Sequence, residues 1–341
     1  MPIPFGNTAG PYWFETTARV CRSTTIVGPQ MLTPHMRPAS RAHITRSSVR
    51  PCCGATAARS MKASACMCVG RCFKGGRFTR GSRRGGENQL LSRIMNDDLR
   101  LALALADDAD AITMRYFQSA TLAVRTKSDR SPVSEADEAV EQMIRERIER
   151  ERPDDGILGE EFGARGDATR RWIIDPIDAT KNYVRGIPVF ATLISLDGLI
   201  GVVSAPAMQR RWWAARGEGA FCNGTAIHVS SIDDINKAQL CYDDVPGFEH
   251  FGIGRRFLDL VRRCGRTRGF GDFWSHMLVA EGAAEIAVEP EVAHWDMAAV
   301  KVIVEEAGGR FTNLDGEARA NGGSGLSTNG LLHDAVLSAL V

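Results

Sequence analysis

The sequence predicts an α/β protein built in layers rather than a simple Rossmann wind. Three observations carry that expectation. Helix-period and strand-like segments are mixed along the chain after residue 95, the middle from Val189 to Phe221 is rich in short strands, and neither a G-x-G-x-x-G nor a P-loop pattern occurs. The chain has no internal repeat. Its 341 residues are 44% hydrophobic and 24% charged, which suits one large globular domain or two medium ones. No stretch approaches the roughly 18 consecutive apolar residues of a membrane-spanning helix.

The net charge of +1 hides an uneven distribution. Of 42 basic and 41 acidic residues, 15 and 2 precede Met95, which leaves 27 and 39 for the rest. Residues 1–94 thus form a basic leader and residues 95–341 an acidic body, for which neither a nucleic-acid nor a membrane partner is expected. Cys21, Cys52, Cys53, Cys66, Cys68 and Cys72 lie in the leader, whereas the body has only Cys222, Cys241 and Cys264. An odd number at wide spacing argues for a reducing compartment and against a disulfide framework.

The leader lacks apolar periodicity and is rich in Arg, Ser, Gly and Cys, so it is expected to be disordered. Three readings of it stand: an organelle transit peptide, a nucleic-acid-binding arm, or a segment that is not made because translation starts at Met95. The last is the expectation, because a helix pattern begins directly after Met95. The leader's Cys spacings lack the paired C-x₂-C and His partners of a zinc site.

The body reads in order as follows. Asp97 to Gln118 is an amphipathic helix, with Leu99, Leu101, Leu103, Leu105, Ile112, Met114 and Phe117 on its apolar side and Asp97 and Asp98 at its positive end. Ser134-Glu135-Ala136-Asp137 opens a second helix that runs to about Arg150, and Ser134-x-x-Asp137 is also a capping box. Gly156 to Leu158 and Trp172 to Asp175 are strands. Val189–Leu196, Ile200–Ala205, Arg211–Ala215 and Gly219–Phe221 form an antiparallel meander. Gly254–Arg263 and Asp272–Glu281 are helical, Glu285–Val288 is a strand, and Trp295–Ala307 is a helix stopped by Gly308-Gly309. Leu326–Thr328 is a late strand and Leu331–Leu340 a final helix.

Three segments concentrate acids at the ends of elements: Gly159-Glu160-Glu161-Phe162-Gly163, Asp175-Pro176-Ile177-Asp178-Ala179-Thr180 and His294-Trp295-Asp296. Taken singly, acids at helix starts read as caps and acids after strands as turns. The second segment asks for more. Pro176 stiffens it, and Asp175 and Asp178 can converge across it. Two carboxylates ~5 Å apart repel by roughly 3 kcal/mol at an effective dielectric near 20, so such a pair needs a cation or a proton between its members. With no His or Cys cluster nearby, the donors are all oxygen, which selects Mg²⁺, Mn²⁺ or Ca²⁺ over zinc.

G-E-E, then W-I-I-D-P-I-D-A-T-K-N, then W-D-M-A-A-V with E-E-A-G-G resembles the signature set of the inositol-monophosphatase-like phosphatases, in that family's order and spacing from about Asp97 to the C-terminus. The resemblance implies an αβαβα sandwich of the inositol monophosphatase/fructose bisphosphatase type and a phosphomonoesterase using two or three Mg²⁺, with Mn²⁺ as an alternative. It implies a first ion on Glu160, Asp175 and the carbonyl of Ile177, and a second on Asp175, Asp178 and Asp296. Thr180 and Asp137 are implied to orient the attacking water, with Glu160 beside them. The backbone of Ala179 and Thr180 is implied to cradle the phosphate, and Asp296 to face the substrate as well. The family has Gly where this chain has Ala179; if φ is positive there, Ala costs roughly 1 kcal/mol.

Within the family, T-K-N-Y-V-R-G, R-W-W-A-A-R-G and G-D-F-W are similar to the actinobacterial histidinol-phosphatase branch, which implies a small cationic phosphate ester as substrate, a cytoplasmic enzyme and a homodimer. A cationic substrate calls for extra negative charge. Glu289, seven residues before Asp296, and Asp272 are the expected contacts, with Trp274 as an aromatic face; the alternative makes Asp272 a helix cap and Trp274 core. The alternatives are an inositol-1-monophosphatase or broad-specificity phosphatase, and, because of Ala179, a catalytically weak binding protein.

Overall fold

The computed structural model describes residues 84–127, 132–166 and 169–341, with side chains from Asp97 onward. The expectations for residues 1–83 lie outside the described residues. Helix α1 (Arg84–Tyr116) starts eleven residues before Met95, ahead of the expected helix start at Asp97. No Gly or Pro interrupts the chain between Glu87 and Tyr116, and helix propagation adds a hydrogen bond for each residue fixed. Asp97 and Asp98 consequently sit inside α1 rather than at its positive end. Asp98 is buried and pairs with Arg152 at 3.0 Å and Arg170 at 2.5 Å. Leu101, Ala102, Leu105, Ala106 and Ala109 form the buried stripe of α1, while Met114, expected on that side, is exposed.

Short strands β1 (Val124–Thr126) and β2 (Pro132–Ser134) pair with each other and lead into α2 (Glu135–Glu151). Next come β3 (Gly156–Gly159), β4 (Gly163–Arg165), β5 (Arg171–Asp178), the short helix α3 (Thr180–Val184), β6 (Ala191–Leu196), β7 (Ile200–Ala205), β8 (Arg210–Ala215), β9 (Gly219–Cys222) and β10 (Thr225–Ile227). They make an eight-stranded sheet of order β10-β9-β8-β7-β6-β5-β3-β4. The second half holds β11 (Gln239–Tyr242), α4 (Val245–His250), α5 (Gly254–Arg263), β12 (Arg266–Gly269), α6 (Asp272–Ala280), β13 (Ile286–Glu289), α7 (His294–Glu306), β14 (Arg310–Thr312), β15 (Gly325–Thr328) and α8 (His333–Leu340). Its sheet has the order β12-β11-β13-β15-β14.

Alternation along the strands sorts the core into layers. Ile157, Trp172, Ile174, Ile194, Leu196 and Val202 face α1 and α2, whereas Leu193, Val203, Trp212 and Ala214 face α6 and α7. On the smaller sheet, Leu240, Ile286, Val288 and Leu326 pack against Phe248, Phe257, Leu260, Val336 and Leu340 of α4, α5 and α8. Cys241 and Ala287 turn the other way, to Val279 of α6. The order is therefore helices, large sheet, α6 and α7, small sheet, helices. This is the expected αβαβα sandwich. The sequence reading missed β1, β2, β4, β10, β11, β12 and β14. All are three or four residues long, and β12 (Arg266-Thr267-Arg268-Gly269) carries no apolar alternation at all. Among the described residues no helix is long and apolar enough to cross a membrane.

Candidate metal and phosphate centre

The strand expected to end at Asp175 continues to Asp178, with a bulge. Asp175 is opposite Leu193 and Asp178 opposite Ala191, so β5 spends three residue steps where β6 spends two. In a regular strand, residues three apart point to opposite faces. The extra residue returns Asp178 to the face of Asp175, toward α7. Pro176, which has no N–H to donate, is tolerated at the irregularity, and its carbonyl accepts from Thr192 Oγ1 at 2.8 Å.

Neighbouring elements deliver the other acids to this point. β3 runs parallel to β5 with Gly159 beside Ile174, and Glu160 N donates to Ile174 O at 3.2 Å, so Glu160 emerges next to Asp175. Glu141 of α2 secures that loop. It accepts from Glu161 N at 2.7 Å and Phe162 N at 3.1 Å and is itself paired with Arg145. A Cβ on residue 159 would lie 2.0 Å from Glu141 Oε1, so only glycine allows this approach. Asp296 occupies the third position of α7 and accepts from Ala293 N at 2.7 Å. The carboxylates of Asp175, Asp178 and Asp296 each offer an oxygen within 4.8 Å of the others. Glu160 joins from the Asp175 side, close enough for its charge to raise Asp175.

This cluster is electrostatically unfavourable as it stands. Burial, followed by the charges of Glu160, Asp178 and Asp296, raises Asp175 well above the usual carboxylate range. Burial, then Asp272 and Asp296, does the same to Asp178. Asp296 is pushed up to about 7, chiefly by burial. Asp175 Oδ1 is sealed from solvent without a hydrogen-bond partner. Carboxylate oxygens gathered in this way fit a divalent cation of hard, oxygen-seeking type. The Ile177 carbonyl accepts from Thr180 Oγ1 at 2.9 Å. Lys127 lies on the open side, 2.7 Å from both Glu160 and Glu161.

Asp137 caps α2 and also lies beside Thr180. Its Oδ2 accepts from Ser134 N at 2.8 Å and Ser134 Oγ at 2.6 Å, closing the capping box of α2. Its Oδ1 faces Thr180 Oγ1 at 3.4 Å. Burial, the largest influence, raises Asp137 to about 6. Ala179 has φ 64° and ψ 43°, the left-handed conformation that favours glycine. We expect Ala179→Gly to stabilise the protein by about 1 kcal/mol, partly offset by the added freedom of the unfolded chain. A fall in urea midpoint would contradict this account of the residue.

A cleft of ≈ 190 Å³ opens beside this centre, lined by Pro132, Glu160, Ala179, Thr180, Lys181, Asn182, Asp243 and Asp272. Its second wall comes from the small sheet, where β12, β11 and β13 run parallel. Asp243 follows β11, Asp272 follows β12, and Glu289 ends β13, so all three acids gather at one edge. Ligands commonly bind beyond the carboxyl ends of such strands. Gly271 (φ 70°) is required here, because a Cβ would lie 2.7 Å from Asp243 Oδ1. Asp272 is not the cap of α6. It follows the Gly271 cap with φ 51°, and the Phe273 N–H serves Asp178 Oδ2 at 2.8 Å. Burial, then Glu289, Asp243 and Asp296, pushes Asp272 up to about 8. Asp243 is pushed up to about 6, by burial and then Glu289. Trp274 packs beside Phe270, 4.5 Å between ring centroids, and joins the apolar layer of α6 and α7 rather than lining the cleft. This is the core placement that was the alternative to a cation-binding face.

Asp243, Lys127 and Glu141 were missed in the sequence. Asp243 follows a strand too short to register. Glu141 and Arg145 read as an ordinary i, i+4 surface pair, yet Glu141 is fully buried.

Fold and centre together define a phosphoric monoester hydrolase. The model of the inositol monophosphatase family matches residues 95–341, and the chain belongs to that family, whose members are generally metal-dependent. Histidinol-phosphatase of Mycobacterium tuberculosis is 53% identical over 257 residues, covering 72% of this chain and 99% of the relative. Histidinol-phosphatase of Streptomyces coelicolor is 50% identical over 257 residues, covering 72% and 97%. Among solved structures, an IMPase of Thermotoga maritima superposes with a TM-score of 0.65 at 31% identity, covering 72% of this chain and 96% of that one.

Proposed function

We propose that the protein hydrolyses histidinol phosphate to histidinol and phosphate with Mg²⁺ held by Glu160, Asp175, Asp178, Asp296 and the Ile177 carbonyl. The observation that carries the reading is the meeting of two acid sets at one cleft. One set, from the large sheet and α7, suits divalent cations and a phosphate. The other, Asp243, Asp272 and Glu289 from the small sheet, suits a cationic alcohol. Likeness to the two actinobacterial histidinol-phosphatases supports the substrate assignment.

Bound divalent cations would neutralise phosphate charge and lower the pKa of water at the centre. The chain's own residues supply the rest. Backbone of Ala179 and Thr180 lines the cleft where the phosphate would sit. Thr180 Oγ1 accepts a proton from the attacking water while passing its own to Asp137 Oδ1, a carboxylate whose pKa of about 6 suits a base near neutrality. The bond from phosphorus to the substrate oxygen breaks as the water oxygen bonds to phosphorus, and in-line positioning provides most of the acceleration. Asp272 and Glu289 face the substrate's cationic end. The free thiols of Cys222, Cys241 and Cys264 suit the reducing cytoplasm.

Kinetics on histidinol phosphate and inositol 1-phosphate test the assignment; comparable kcat/KM on both would favour the inositol-phosphatase alternative. We further expect Asp272→Ala to raise KM for histidinol phosphate by about tenfold more than for p-nitrophenyl phosphate, the loss of one charge-assisted contact. Equal changes would remove Asp272 from substrate recognition.

A further inference from the structure

Glu289 is nine-tenths buried, and its Oε1 has no hydrogen-bond partner. A sealed, unpaired carboxylate oxygen is costly. The nearest candidate donor is His276 Nε2, at 3.6 Å, on an imidazole that is entirely buried. That nitrogen is also without a partner. On its other side, His276 Nδ1 lies 2.7 Å from Ser327 Oγ. The three residues come from three packed elements: β13 carries Glu289, α6 carries His276, and Ser327 of β15 pairs with Ala287 of β13.

Hydrogen-bond chemistry fixes the roles. A carboxylate only accepts, so an attractive contact needs the proton on Nε2. A neutral ring protonated there has an accepting Nδ1, which the Ser327 hydroxyl satisfies. The Ser327 hydroxyl, which can donate, is therefore compatible with the tautomer that faces Glu289. A separation of 3.6 Å is too long for a hydrogen bond, yet a side-chain shift of under ~1 Å would bring the pair to the 2.7–2.9 Å usual for charged partners.

We propose that His276 is a positioning residue for substrate recognition: it holds Oε1 of Glu289, oriented by Ser327, so that Oε2 is presented to the substrate's cationic end. Contact closes when the carboxylate is engaged by substrate, in the way a ring N–H behind a functional carboxylate or metal ligand fixes its geometry. The inference rests on the reading of Glu289 as a substrate contact and extends it one residue outward.

The test compares KM for histidinol phosphate with KM for p-nitrophenyl phosphate, whose alcohol part carries neither cation nor hydroxyl, at saturating Mg²⁺. His276→Leu is expected to raise the ratio of the two KM values about tenfold, the loss of one hydrogen bond to a charged group. His276→Gln, which restores an N–H donor, should recover most of that. Ser327→Ala, which leaves the imidazole volume in place, should raise the ratio about threefold, and it remains informative if His276→Leu fails to fold. In a Glu289→Gln background, His276→Leu should add less than about twofold. The proposal is overturned if the His276 and Ser327 variants leave the ratio unchanged, or if the His276 and Glu289 effects simply multiply. Should Glu289→Gln alter the ratio while the His276 and Ser327 variants do not, only the positioning role falls. Should Glu289→Gln itself have no effect, the substrate contact and this inference fall together.

Discussion

Asp175→Asn is expected to lower kcat/KM at saturating Mg²⁺ by at least about a hundredfold. Asp175 is the acid common to both proposed ion sites, and its buried Oδ1 has no protein partner to compensate for a missing cation. Asn keeps the shape and offers a neutral amide, so the change acts on charge rather than packing. The expectation therefore has a second arm. At an Mg²⁺ concentration ~100 times its Kd, binding stabilises the wild type by about 2.7 kcal/mol, a Tm rise of about 5–10 °C for a domain of this size. The variant should lose most of that rise while its metal-free form is no less stable than wild type at pH 8. More than about a tenth of the wild-type rate, with the Mg²⁺ shift intact, would contradict the shared-ligand role.

The metal-free protein should lose heat stability as pH rises from 6.5 to 8.5, the reverse of the usual carboxylate behaviour. Glu161 and Asp296 are raised to about 7 and Asp272 to about 8, in each case mainly by burial. A raised acid binds more protons folded than unfolded between its two pKa values, so its stabilising contribution is complete below the unfolded value near 4 and is lost as pH climbs through the folded one. His333 and His294, both lowered by burial, act in the opposite direction, mainly below their ordinary value of 6.5. Most of the chosen window lies above that titration. Added Mg²⁺ should flatten or reverse the slope, because ligand protons are released on binding and metal affinity rises with pH. Thermal scans with EDTA and with Mg²⁺ across this range measure both slopes. A metal-free Tm that climbs steadily to pH 8.5 would show that the acids do not crowd one another.

Much of this centre was legible in the sequence, for reasons that differ by residue. Asp175 and Asp178 were visible because Pro176 sits between acids at the end of an apolar run. The expected turn was nevertheless wrong, since a one-residue bulge brings them together inside the strand. Asp296 could be placed by its spacing from a helix that Gly308-Gly309 stops. Asp137 was ambiguous between cap and base because one carboxylate has two oxygens, and here each has its own partner. Asp243 and the edge it shares with Asp272 and Glu289 depend on parallel pairing of β11, β12 and β13, and strands of four residues lend little periodicity to detect. The start of α1 was misjudged because a shift in composition was taken for the end of a structural element. The burial of Glu141 depends on the loop at Gly159 closing over it, which no local pattern announces.

The central claim is that Asp175, Asp178 and Asp296, with Glu160 beside them, share divalent cations. Anomalous scattering from crystals of the protein soaked in Mn²⁺ tests it most directly. Expected are peaks about 2.0–2.3 Å from oxygens of Asp175, Asp178 and Asp296, with at least one site shared through Asp175. Fully occupied Mn²⁺ peaks elsewhere, with these carboxylates left uncoordinated, would contradict the account.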